Sequence, residues 1–260
     1  MSIGTIVKLG MSKKLVLAFS GGMDSSVLLH LAIRNGYKEI YTLSFDYGQR
    51  HKRELECVKQ QLEELRGLYS NVMTYRKVID VSYIKDIAPV SSLTNNDIAT
   101  PNIKDIAGEA QPKSYVPYRN MMFLSIACSY AEANGIDKVW YGAAQADSLA
   151  GYWDGDTNFV NSMNVVVGLN RQHKISIEAP LLDKSKADIV KIGVEMGVNF
   201  ANTWTCYSQR DDGLADAETP SSALRLKGFI DAKYKDPIKY LQQKEIDKVY
   251  KKNKCKEIAP

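Results

Sequence analysis

The chain has 260 residues, of which 25% are charged and 45% apolar, with a formal net charge of +4. That is enough for one large α/β domain with a full core and only a small addition to it. No apolar run is long enough to span a bilayer and the start lacks the pattern of a secretion signal, so no membrane contact and a cytoplasmic location are expected. Cys57, Cys128, Cys206 and Cys255 lie far apart without a C-x-x-C pair, which points to neither a disulfide framework nor a closed metal site.

The run Leu15 to Phe19 predicts a buried parallel strand. Ser20-Gly21-Gly22-Met23-Asp24-Ser25-Ser26 then turns the chain into a helix whose core face carries Val27, Leu28, Leu29, Leu31 and Ala32. Two glycines let the backbone turn tightly, and the first helix amides then face an anion with no side chain in the way. Ser20, Ser25 and Ser26 add hydroxyl donors, and Asp24 suits the Mg²⁺ that accompanies a polyphosphate. A lone Gly-Gly would read as an ordinary capped turn, but the whole string after a strand reads as a phosphate cradle. No lysine follows, which excludes the Gly-Lys-Ser/Thr loop of kinase-type proteins.

A second strand is predicted over Ile40 to Phe45, a charged helix from about Arg50 to Leu65, and a third strand from Val72 to Ile79. The stretch from Val81 to Pro117, containing Pro, Asn and Ser, is long for a compact domain and reads as an active-site flap. A helix from Arg119 to Asn134, closed by Gly135, precedes a strand at Val139 to Gly142. Ser185-Lys186-Ala187-Asp188 has capping-box spacing and opens a helix ended by Gly197. Residues from Ser221 to about Asn253 read as two helices interrupted near Pro237. Alternating strands and helices predict a parallel sheet covered by helices, with a main domain over 1–220 and a helical extension over 221–260 packed on it. The lysines clustered between Lys244 and Lys256 read as a solvated helix end, so no nucleic acid is expected. A homodimer is compatible with the sequence.

Ligands of open parallel sheets sit beyond the carboxyl ends of the strands, and the loops there are distinctive. They hold Phe45-Asp46-Tyr47-Gly48-Gln49-Arg50-His51 with Glu54, Val116-Pro117-Tyr118-Arg119-Asn120, Gly142 to Asp147, Gly151-Tyr152-Trp153-Asp154, Lys184 with Lys186, and Thr203-Trp204-Thr205-Cys206-Tyr207.

The SGGMDSS string resembles the SGGxDS signature of the PP-loop ATP pyrophosphatases, which cleave ATP between the α and β phosphates. With the other loops, from about Lys14 to Pro237, the chain resembles the 7-cyano-7-deazaguanine synthases of queuosine biosynthesis. The resemblance implies an adenine nucleotide α-hydrolase-like α/β fold with five parallel strands. It also implies ATP and Mg²⁺ as cofactors and 7-carboxy-7-deazaguanine as the small-molecule substrate. The substrate carboxylate would be adenylated and then attacked by ammonia, giving an amide and, with a second ATP, the nitrile. Divergent relatives associated with antiviral defence imply a second acceptor, the amino terminus of a protein partner. The resemblance places Ser20, Gly21, Gly22, Asp24, Ser25, Ser26, Phe45, Gln49 and Arg50 around ATP. It places Asn120, Tyr152, Asp154 and Lys184 at the substrate, and gives catalytic roles to Asp24, Arg119 and Lys186. Another PP-loop enzyme, such as a tRNA thiolase or an argininosuccinate-type synthetase, is the alternative, disfavoured by the lack of a cysteine pair or strong basic patch.

The chain departs from the family in two regions. The synthases follow T-W-S-C-Y with three more cysteines that complete a zinc site; aligning Leu224 to Phe229 puts Asp216, Thr219 and Ser222 there. With Cys206 alone as a thiolate, zinc is expected to be absent. Near the substrate, V-P-G-R-N becomes Val116-Pro117-Tyr118-Arg119-Asn120, and G-Y-P-D-C-R becomes Gly151-Tyr152-Trp153-Asp154-Gly155-Asp156. Adenylation is expected to survive these changes, which bear instead on the nitrogen acceptor and on nitrile formation.

Overall fold

The computed structural model describes residues 13–49, 53–105, 112–149, 151–207 and 212–258. In chain order the elements are β1 (Lys14–Ala18), α1 (Met23–Arg34), β2 (Glu39–Asp46), α2 (Arg53–Leu68) and β3 (Met73–Asp80), then α3 (Ile84–Ile87), α4 (Arg119–Ala133), β4 (Lys138–Trp140) and α5 (Gln145–Leu149). They continue with α6 (Thr157–Gly168), β5 (Ser176–Glu178), α7 (Lys186–Glu195), α8 (Pro220–Asp231) and α9 (Gln243–Asn253). The strands form one sheet in the order β3-β2-β1-β4-β5, with every neighbouring pair parallel.

The apolar run of β1 lies at the centre because helices cover both of its faces. Leu15 and Leu17 point into one core with Val27, Leu28 and Ile189. Val16 points into the other with Leu43, Leu124 and Val139. All three β1 residues are fully buried, which explains a continuous apolar run without alternation. The chain passes from β1 to β2 on one side and later returns to place β4 on the other, so a crevice opens beyond the carboxyl end of β1. α1 begins at that crevice.

The C-terminal helices are packed onto this frame. Phe229 of α8 and Ala232 just after it enter the first core, while Tyr240, Ile246 and Tyr250 form a third cluster with Cys57, Trp204 and Cys206. Between α8 and α9 a fully buried Arg225 holds Asp236 through two bonds, Nε to Oδ2 at 2.6 Å and Nη2 to Oδ1 at 2.9 Å. The same carboxylate accepts from the Tyr240 hydroxyl at 2.7 Å. The remaining Arg225 nitrogen donates to Thr203 Oγ1 at 2.7 Å, so this ion pair fixes the loop that runs on to Cys206. Removing one partner of so enclosed a pair would leave a buried charge uncompensated.

Candidate active site

The cradle starts where β1 ends. Gly21 adopts φ +85°, and a Cβ there would stand 2.2 Å from the Glu54 carbonyl oxygen, so glycine is required for both the turn and its contact with α2. The Gly22 N–H donates to Ser20 Oγ at 3.1 Å, and Ser25 Oγ lies 3.2 Å from Ser20 Oγ. Beyond them the first-turn amides of α1 have no partner within the helix and form an anion-binding end. The loop after β4 closes in from the side: a Cβ on Gly142 would stand 3.5 Å from the Ser25 nitrogen.

A cavity of about 260 Å³ opens onto this turn. Ser20, Gly22, Asp24 and Ser25 form its floor, and Phe45 with Gln49 lines one wall. Arg119, Asn120, Tyr152 and Asp154 line another. Leu93, Thr100, Pro101 and Ser114 line it as well, so the long connection after β3 contributes to the pocket as expected of a flap. Phe45 stacks on Phe123 with centroids 4.0 Å apart. Gln49 is folded back, its side chain accepting from the Tyr47 N–H at 2.8 Å.

Asp24 divides its two oxygens. Oδ2 accepts from Lys186 Nζ at 2.8 Å, whereas Oδ1 is buried without a hydrogen-bond partner. An orphaned carboxylate oxygen beside a phosphate cradle fits a hard divalent cation, so these residues suit Mg²⁺. Burial pulls the Lys186 ammonium down, but Asp24 and Asp147 outweigh it and hold its pKa above the ordinary lysine value. Asp147, which accepts from the Ala144 N–H at 2.8 Å, is pushed up by burial against the opposing pull of Lys186.

Arg119 heads α4. Burial works against its charge, but Tyr47, Tyr207 and Asp154 around it keep the guanidinium ionised. Its Nη1 reaches Tyr47 Oη at 3.5 Å. Asp154 is almost fully buried; burial raises its pKa while Arg119 and the Asn120 backbone N–H pull it down. Tyr118, just before Arg119, sits in the left-handed region at φ 53°, a conformation disfavoured for a side chain with a Cβ. Its ring meets Trp153 edge-on with centroids 5.6 Å apart, and both rings are exposed. Trp153 Nε1 donates to Tyr115 Oη at 2.9 Å, so these aromatics form one rim beside Tyr152 and Asp154.

Several sequence expectations change. Ser26 is fully buried and its hydroxyl donates to the Gly22 carbonyl at 2.7 Å, so it secures the helix start and is not available to a phosphate. Gly21 shapes the turn from behind without lining the cavity. Lys184 does not reach the pocket; its ammonium pairs with the neighbouring Asp183 at 2.8 Å on the surface. Lys186 does not line the cavity itself; its ammonium donates to Asp24, which does. Arg50 lies outside the described residues.

Glu54, Asp147, Tyr47, Tyr207 and Ser221 line or face the cavity without an assigned role from the sequence. Glu54 is a cavity residue whose Oε1 would stand 3.7 Å from a Cβ on Gly22. Burial pushes its pKa up to about 8, with Arg119 opposing and Asp24 adding to the rise. Ser221 Oγ is buried without a partner. Glu54 and Tyr47 belong to the motif after β2, so the signal was present, but the burial of Tyr47 and the partial enclosure of Glu54 were not readable there.

A helix-end cradle without the Walker lysine, at the crevice of a five-stranded parallel sheet, defines the PP-loop ATP pyrophosphatase class with its adenine nucleotide α-hydrolase-like fold. The family described as Queuosine biosynthesis protein QueC matches residues 14–233, and the chain belongs to it. The 7-cyano-7-deazaguanine synthase of Clostridium kluyveri is 40% identical over 240 residues, covering 89% of this chain and 100% of that protein. The 7-cyano-7-deazaguanine synthase of Thermoplasma volcanium is 39% identical over 250 residues, covering 95% of this chain and 97% of that one. Membership makes the chain an ATP-dependent enzyme of the C–N bond-forming PP-loop kind. Among solved structures, the U34-tRNA thiolase NcsA from Methanococcus maripaludis covers 92% of this chain and 71% of that chain, with 14% identity and a TM-score of 0.45. No residue role is carried across at that distance.

No helix among the described residues is long and apolar enough to cross a membrane.

Proposed function

We propose that the cavity adenylates the carboxylate of 7-carboxy-7-deazaguanine and presents the product to a nitrogen nucleophile. The observation that carries this reading is that one cavity joins the α1 cradle to Arg119 and Asp154. A polyphosphate held by the cradle as the leaving pyrophosphate turns its α-phosphorus toward the rest of the cavity, where a carboxylate oxygen can attack. The α–β phosphate bond breaks, and the acyl carbon then bears AMP as its leaving group. A nitrogen lone pair attacks that carbon, AMP departs, and the amine loses a proton.

The residues divide this work by position. First-turn amides of α1, with Ser20 and Ser25, bind phosphate oxygens. Asp24 Oδ1 would hold Mg²⁺, which neutralises polyphosphate charge when bound. Lys186 keeps Asp24 oriented, and Arg119 offers a fork of donors to phosphate or carboxylate. Asp154 accepts from the N–H edge of the deazaguanine, having lone pairs beyond those used by its own backbone N–H and that of Asn120. Tyr152, anchored by its hydroxyl 2.7 Å from Ser114 Oγ, walls the substrate side.

The acceptor is ammonia, giving the amide and then the nitrile, or the amino terminus of a protein partner. The exposed rim of Tyr118 and Trp153, at positions where the sequence departs from its relatives, supports a role for the second. The test incubates the chain with ATP, Mg²⁺ and 7-carboxy-7-deazaguanine, adds ammonium or a candidate protein, and follows products by mass spectrometry. AMP and pyrophosphate are expected; ADP would reject the reading. A nitrile identifies ammonia as acceptor and shows that dehydration survives the changed rim, whereas a mass gain on the protein identifies conjugation.

A further inference from the structure

The four positions at which the resemblance implies zinc ligands do meet in space. Cys206 is buried, with its Sγ accepting from the Asp216 N–H at 3.3 Å and lying 3.8 Å from Thr219 Oγ1. Thr219 Oγ1 is in turn 3.0 Å from Ser222 Oγ and 3.1 Å from the Asp216 carbonyl. Ser222 and Thr219 are both buried. Among the described residues, what converges here is one thiol, two hydroxyls and a backbone pair.

This donor set does not fit zinc. Structural zinc takes four ligands from thiolates, imidazoles and carboxylates, and hydroxyls are poor substitutes. One oxygen of the Asp216 carboxylate is committed elsewhere: Oδ1 accepts from Gln242 Nε2 at 3.0 Å and from the Glu218 N–H at 3.0 Å. Those bonds tie the segment to the start of α9, as does the Ala217 N–H donating to Gln242 Oε1 at 3.2 Å. Ala215 pairs with the Tyr240 strand segment beside them, its N–H bonding to the Lys239 carbonyl at 2.9 Å. The polar atoms at the centre of the node are matched as donors and acceptors, as a buried polar cluster requires.

The same segment forms a wall of the cavity, because Thr205, Tyr207, Pro220, Ser221 and Leu224 line it. We propose that this wall is closed by the Cys206–Asp216–Thr219–Ser222 hydrogen-bond node instead of by a bound metal, the side chains of Cys206, Thr219 and Ser222 and the backbone of Asp216 meeting where a four-ligand site would lie. Thiol and hydroxyls do locally what a cation and four thiolates would do, and Gln242 anchors the node to the C-terminal helices. The inference stands apart from the proposed substrate, since its readouts are metal content and stability.

The experiment measures metal in the purified full chain by mass spectrometry and thermal stability with and without EDTA. Zinc well below stoichiometry and an unchanged Tm are expected. Stoichiometric zinc, or a Tm that falls on chelation, overturns the proposal. Thr219→Val is expected to lower Tm by about 2–4 °C, the shift for losing one buried hydrogen bond in a chain of this size; no change would show that the node does not hold the wall. The triple variant Asp216→Cys, Thr219→Cys, Ser222→Cys is expected to gain tight binding of about one Co²⁺ with thiolate charge-transfer bands. If it folds and binds none, the four positions do not converge and the proposal fails.

Discussion

Glu54 carries a pH signature that a single substitution isolates. Its ordinary pKa of 4.5 is pushed up to about 8 in the folded chain, mainly by burial. Between those values the folded protein binds a proton that the unfolded chain releases, so rising pH lowers stability across the window. Below about pH 4.5 no penalty applies, and above about pH 8 it is complete and constant. Each pH unit inside the window costs about 1.4 kcal/mol. Glu54→Gln keeps the neutral shape and removes the titration. Relative to that variant, the wild type is expected to lose about 2 kcal/mol between pH 6 and pH 7.5, or about 4–8 °C in Tm. The assay is urea denaturation of both proteins, ligand-free and in EDTA, at several pH values through this window. Taking the difference cancels titrations that both proteins share. Parallel stability curves would refute the reasoning, because they would mean that Glu54 is solvated enough to ionise normally in the folded chain.

Lys186→Met removes the ammonium from between Asp24 and Asp147, two carboxylates that face it. Pyrophosphate exchange with ATP is expected to fall by about 10²- to 10³-fold, with partial rescue by Lys186→Arg; an unchanged rate would exclude Lys186 from organising the site. Tyr118→Gly relieves about 1–2 kcal/mol of left-handed strain while losing an aromatic contact of about 0.5–1.5 kcal/mol. Stability is therefore expected to stay within about 1 kcal/mol of the wild type in urea denaturation, and a loss above about 2 kcal/mol would show that the ring has a structural role.

The parts of the fold with a strong local period were legible in the residues. β1, β2 and β3 lie within a residue or so of the predicted strands; β1 and most of β2 are buried and read as apolar runs, whereas β3 is a largely exposed edge strand whose run is broken by Arg76 and Lys77. The start of α7 was readable from chemistry alone. The Ser185 hydroxyl accepts from the Asp188 N–H at 3.1 Å and the Asp188 carboxylate accepts from the Ser185 N–H at 3.2 Å. β5 was missed because three residues, Ser176–Glu178, show no period. α6 was missed because its two buried residues, Phe159 and Met163, are flanked by Asn and Val, which are weak helix formers. Within the site, Lys184 and Lys186 were indistinguishable as letters. Only the turn before Ser185 sends one ammonium to Asp183 at the surface and the other to Asp24. Nor could the pattern show that Arg225 is a buried ion-pair partner, since its carboxylate comes from the connection leading to α9.

The changes at Tyr118 and Trp153 belong together because the two rings touch. They lie on separate segments, one heading α4 and the other between Tyr152 and Asp154. A ring at φ 53° is costly where glycine would be free of strain. Burial does not offset that cost, because Tyr118 is 57% exposed. The cradle residues Ser20, Gly22, Asp24 and Ser25 and the cation Arg119, which line the cavity, stand unaltered. The changes therefore leave the cradle at the start of α1 intact and fall on an exposed aromatic pair next in sequence to the cavity residues Arg119, Tyr152 and Asp154. The edge-on contact with Trp153, worth about 0.5–1.5 kcal/mol, offsets most of the about 1–2 kcal/mol of left-handed strain, so the two changes are coupled energetically as well as in space.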